Sequence, residues 1–119
     1  MKIRSFILLI FVVIDFLPLR TMAQSPDCTR VDGWVAGMAF VHLKNAGLID
    51  NNSVDFQKTK VIRLASEKIG EDLYRQIHHV SFTEKSGNLI EVITSNAASN
   101  VECSMTGVDV FIISRHLGG

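Results

Sequence analysis

Apolar residues after Asp32 recur at helical spacing, with Trp34, Met38 and Val41 along one stripe. Asp32 stands where an N-cap belongs, and Gly47 follows Lys44 and Asn45 as a left-handed stop. Val35, Ala39, Phe40 and Leu43 are apolar too, which leaves only His42, Lys44 and Asn45 plainly polar. That pattern predicts a helix nearly wrapped by the rest of its domain. Gly33 and Gly37 lower helix propensity by roughly 1 kcal/mol each relative to Ala, a cost that close approach to a packed sheet would explain.

Beyond the turn cluster Asp50-Asn51-Asn52-Ser53 the period shortens toward two and β-branched residues accumulate. A first strand is expected over Lys58 to Ile69, although Val61, Leu64, Ala65 and Ile69 fit a helix nearly as well. Gly70-Glu71-Asp72 turns the chain into a second strand, Leu73 to Thr83. The polar loop from Glu84 to Asn88 leads to a third, Leu89 to Ser95. A polar loop from Asn96 to Gly107 precedes a last strand, Val108 to Arg115. The expected fold class is α+β: one N-terminal helix packed on a four-stranded antiparallel meander sheet. Alternation puts Tyr74, Gln76, His78, Val80 and Phe82 on one side of the second strand and Leu73, Arg75, Ile77, His79 and Ser81 on the other. Neither set is purely polar, so the face away from the helix is expected to be only partly solvated and open to a partner.

The first residues do not fit that domain. Met1 to Arg4 are basic, Phe6 to Ile14 is an unbroken apolar run, and Thr21-Met22-Ala23 sets small residues at the positions of a cleavage site. Residues 1–23 therefore read as a secretory signal peptide and residues 24–119 as a single domain. A retained anchor over residues 3–19 is disfavoured by Asp15 and Pro18. The whole chain has 12 Lys and Arg against 12 Asp and Glu. Lys2, Arg4, Arg20 and Asp15 leave with the leader, so the 96 remaining residues carry nine basic and eleven acidic side chains, a net charge of −2. Nucleic acid is not an expected partner, because releasing counterions from phosphates needs concentrated positive charge. Nor is a membrane, once the leader is gone.

Cys28 and Cys103 lie near the two ends of the exported part with 74 residues between them, and an even pair in an oxidising compartment reads as a disulfide. Closing so long a loop removes unfolded-state entropy worth about 4 kcal/mol in the chain-entropy model. Neither Cys has a CxxC partner or a His at metal-ligand spacing, so a catalytic thiol and a metal site are both disfavoured.

The chemistry on offer is sparse. His78 and His79 point to opposite strand faces and cannot share one metal ion. His116 would pair with one of them only if the second and last strands were neighbours, which a meander does not allow. Glu84, Glu91 and Glu102 are joined by no motif, and there is no GxSxG, HExxH or phosphate-binding glycine loop. No cofactor is expected. Tyr74-Arg75 combines residue types enriched at binding hot spots, and Tyr74, Arg75 and His78 form the first candidate binding set. Trp34, if not a core residue, is a further anchor, and the Cys103 loop is a second candidate surface that a disulfide would hold in one shape.

The helix-on-meander outline is similar to that of cystatin-like inhibitors and of several small periplasmic binding proteins. The stretch Gln76-Ile77-His78-His79-Val80 departs from the QxVxG hairpin loop of cystatins, so the likeness is one of architecture and fixes no function. The leader, the Met-Lys start and the single disulfide look like a bacterial envelope protein. The leading expectation is a periplasmic or secreted, non-enzymatic binding protein, an inhibitor or immunity-type protein whose partner is an envelope enzyme or toxin. The alternatives are a small hydrolase or nuclease using His78 or His116, and a small-ligand carrier with a pocket between helix and sheet. If the cysteines pair, the exported protein gains two hydrogens in mass on reduction. An unchanged mass would refute the pairing.

Overall fold

A computed structural model describes residues 25–114 and 117–118. Residues 1–24, Arg115, His116 and Gly119 lie outside the described residues, and with them the expected leader and any role for His116. Helix α1 (Trp34–Asn45) precedes strands β1 (Val54–Gly70), β2 (Leu73–Glu84), β3 (Leu89–Ala98) and β4 (Asp109–Ile112). The strands form one antiparallel sheet in the order β1-β2-β3-β4, so the α+β meander is present and β2 does not pair with β4.

The start of α1 differs from expectation. Its N-cap is Gly33, with no side-chain cap; Asp32 stands one residue before it, and its carboxylate accepts from Arg30 Nε at 3.0 Å and Nη2 at 2.9 Å. The stop is as expected. Gly47 has φ 77°, its N–H donates to Lys44 O at 2.9 Å, and the N–H of Leu48 donates to Leu43 O at 3.0 Å, a Schellman arrangement. The helix is covered on one side only: Val35, Ala36, Ala39 and Leu43 are buried, whereas Trp34 and Val41 keep 38% and 40% exposure. A Cβ on Gly37 would meet nothing within 4 Å, so this glycine faces open space rather than a packed sheet. The whole-turn apolar pattern thus serves a surface as well as a core.

β1 begins four residues earlier than its pattern indicates and ends at Gly70. Its pairing with β2 shifts register between Asp55 and Lys60, between Arg63 and Ala65, and between Lys68 and Gly70. The first shift inserts three residues into β1 and the other two insert one each; the insertion between Arg63 and Ala65 breaks the period of two, which is why Val61, Leu64, Ala65 and Ile69 imitate helical spacing. β3 continues through Ala98, and the ladder of β4 ends at Ile112, short of the expected Arg115.

The core lies between α1 and the even-numbered face of β2. Val35, Ala39 and Leu43 belong to one cluster with Val80, Phe82 and Val92. Phe40 bridges outward, edge-on to Phe82 at 6.0 Å and to Phe56 at 5.1 Å. These side chains fill the helix–sheet interface. Among the described residues no helix is long and apolar enough to cross a membrane.

Two substitutions separate core from surface. Phe82→Ala is expected to cost about 3–5 kcal/mol, and Gly37→Ala to add about 0.5–1 kcal/mol. Urea unfolding checks both, and a destabilising Gly37→Ala would show that the site is not open.

Candidate binding surface

The connection from Ser99 to Val108 contains no helix or strand yet is tied down along its length. The disulfide Cys28–Cys103, with Cα atoms 5.8 Å apart, fixes it to the segment entering α1. Asn96 Nδ2 donates to Cys103 O at 2.9 Å, and the N–H of Ala97 donates to Thr106 Oγ1 at 2.8 Å. Thr106 thereby caps the part of the β3 edge that β4 does not reach. The Trp34 indole donates to Thr106 O at 3.2 Å, and Asp72 Oδ1 accepts from the backbone and side chain of Asn100 at 2.9 and 2.8 Å. A loop held this way has lost its conformational freedom before any partner arrives.

Two open grooves flank the loop and share Met38. The first, about 430 Å³, runs between α1 and Cys103, with Trp34, Gly37, Met38 and Val41 as its apolar wall. The second, about 600 Å³, is lined by Met38 and His42 of α1, Arg75 and Ser95 of the sheet, and Thr106 and Asp109. Arg75 stands opposite Ala97 on β3, a small residue that leaves its guanidinium room to extend toward the loop. It has no acid or acceptor partner among the described residues. One side of Met38 therefore offers aromatic and aliphatic surface, and the other an unpaired cation among hydroxyls, an imidazole and a carboxylate.

The set Tyr74, Arg75 and His78 is divided by the sheet. Arg75 is exposed and lines the second groove; Tyr74 is half-buried on the opposite strand face, between Lys68 and Ala98. His78 is fully buried. Around it, Gln76 Nε2 donates to Pro26 O at 2.9 Å and to Ser66 Oγ at 3.0 Å, and Arg63 Nη1 donates to Pro26 O at 2.9 Å. Among the described residues Gln76 Oε1, both His78 ring nitrogens and Asn96 Oδ1 have no hydrogen-bond partner. Burial pushes the His78 imidazole below its usual range; the neighbouring Arg63 adds to this and Asp27 opposes it. Asp27 itself is lowered, chiefly by the Thr29 hydroxyl at 2.6 Å. His79 points the other way and meets Glu91 Oε1 at 2.8 Å.

Met38, His42, Thr106 and Asp109 were not singled out by the sequence. Met38 and His42 lie four apart on α1 and so share a face, but only the loop's position shows what that face borders. Among the described residues no three His, Cys, Asp or Glu side chains are grouped to hold a metal ion. No protein-family model, curated protein or solved structure matches the chain.

The buried imidazole gives stability a pH dependence. His78 is harder to protonate when folded, so below about pH 6.5 the unfolded chain takes up the proton first and stability falls as pH falls. His78→Leu is expected to flatten this decline in urea midpoints between pH 7 and pH 5. An unchanged slope would show that His78 is not the group responsible.

Proposed function

We propose that this chain is a small exported binding protein of inhibitor or immunity type, which occludes a partner enzyme or toxin of the bacterial envelope through the helix–loop surface. The observation that carries this reading is the fixed loop 99–108 set against the exposed side of α1. It presents Trp34, Met38 and Val41 beside the unpaired Arg75. An aromatic anchor and an arginine on a rigid frame are the residue types that dominate hot spots. The partner's complementary feature is an apolar side chain for the Trp34 groove and a carboxylate for Arg75. The leader-like residues 1–23 and the Cys28–Cys103 disulfide support export to an oxidising compartment.

The test is capture from an envelope extract by the tagged protein expressed with its own leader. Wild type should retain one protein in stoichiometric amount. Trp34→Ala and Arg75→Glu should each weaken that complex by about thirtyfold, the loss of one hot spot, with near-ultraviolet circular dichroism showing that the fold persists. Retention of the same protein by both variants would refute the assignment of the surface. Co-purification of a small molecule without any protein would refute the function.

A further inference from the structure

The sheet face away from α1 has its own organisation. Ile62, His79, Ile93 and Phe111 are successive Cα partners and form one row across all four strands. The next row toward Gly70 is Ala65, Ile77, Ser95 and Asp109, and the one after it begins Glu67, Arg75, Ala97. On the other side of the Ile62 row stands Lys60, Ser81 and Glu91. Helix α1 packs on the opposite face, and so does Pro26, whose carbonyl accepts from Gln76 and Arg63. Ile62 and Phe111 consequently keep 53% and 59% exposure. An apolar row at the centre of a sheet face is more than scattered surface hydrophobicity.

We propose that this face associates with the same face of a second copy, forming a two-fold symmetric dimer with the sheets stacked and the helices outside. Charge complementarity selects this occupant. A two-fold axis crossing the strands between the Ile62 row and the Ala65 row exchanges the Lys60 row with the Glu67 row. Lys60 of one copy then meets Glu67 of the second, and the reciprocal pair forms by symmetry. The same axis lays Ile62 on Ala65, His79 on Ile77, Ile93 on Ser95 and Phe111 on Asp109, so each central pair contains at least one apolar side chain and the β3 and β4 pairs also contain a polar one. Four rows about 6.8 Å apart and four strands about 4.8 Å apart cover roughly 500 Å² per copy, about 1,000 Å² in all, the lower limit for a specific contact. The dimer is therefore weak. Edge-to-edge pairing is opposed at β1 by its register shifts and by Lys58, Lys60 and Lys68, and at β4 by a length of four residues.

Sedimentation equilibrium of the purified protein from about 1 µM to 1 mM tests this, with thermal unfolding of each variant as a check on the fold. Wild type should shift from monomer to dimer across that range. Lys60→Glu and Glu67→Lys each create two like-charge contacts per dimer and should weaken association by about tenfold or more. The combined swap K60E/E67K should recover it to within about threefold, and Phe111→Asp should abolish it. A wild type that stays monomeric to 1 mM, a dimer indifferent to the single reversals, or a swap that fails to recover association would each overturn the proposal. Arg75, Ser95 and Asp109 of this face also line the second groove, so Trp34→Ala on the helix side separates the two readings: it should weaken partner capture and leave self-association unchanged.

Discussion

The Cys28–Cys103 disulfide is the constraint on which the rest of this small domain depends. It joins the segment that enters α1 to the loop that leaves β3, two stretches 75 residues apart in sequence that no regular ladder connects. On one side of the bond Pro26 lies over the sheet, its carbonyl taking hydrogen bonds from Arg63 and Gln76. On the other side the ten residues from Ser99 to Val108 are held beside Trp34. A domain of this size has a modest core, and a cross-link of this span supplies a stabilisation of the same order as the whole net stability such a domain keeps.

The bond also helps explain how the sheet tolerates polar residues on its covered face. Gln76, His78, Thr94 and Asn96 are all buried where a meander covered by a longer helix would carry aliphatics. Helix α1 has only twelve residues and packs over the Val80 and Phe82 end of β2. The N-terminal segment lies over the remainder, where the carbonyl of buried Pro26 accepts from Gln76 and Arg63. Gln76 exploits this; the His78 ring nitrogens have no protein partner among the described residues. The molecule thus has three distinct surfaces: a short apolar core under α1, a polar layer under the N-terminal segment, and an uncovered outer face.

Much of this was legible in the chain. Burial alternates along the middle of the two strands around the Glu84–Asn88 loop because each has one face in the core, and the cysteine spacing announces the staple. β1 was ambiguous between strand and helix because its bulges break the period that alternation relies on. The helix was read as nearly wrapped because apolar residues circle it, yet Trp34, Met38 and Val41 face the loop grooves. Asp32 has the chemistry of a cap, but the helix starts one residue later than its pattern indicates, and the Asp32 carboxylate pairs with Arg30. His78 looked like surface chemistry, and its burial depends on a segment fifty residues distant in sequence. Where a side chain's fate was set by its own strand the pattern sufficed. Where a crossing segment set it, the pattern did not.

Amide hydrogen exchange on the oxidised protein and on the Cys28→Ser/Cys103→Ser variant tests the central account most directly. The expected result is that protection at Ala97, Ser99 and Glu102, whose N–H groups bond to Thr106, Glu102 and Ser99 respectively, collapses in the variant. Amides of the β2–β3 ladder around Val80 and Val92 should stay comparatively slow. Equal protection of the loop with and without the disulfide would contradict the claim that this bond holds the binding surface in shape.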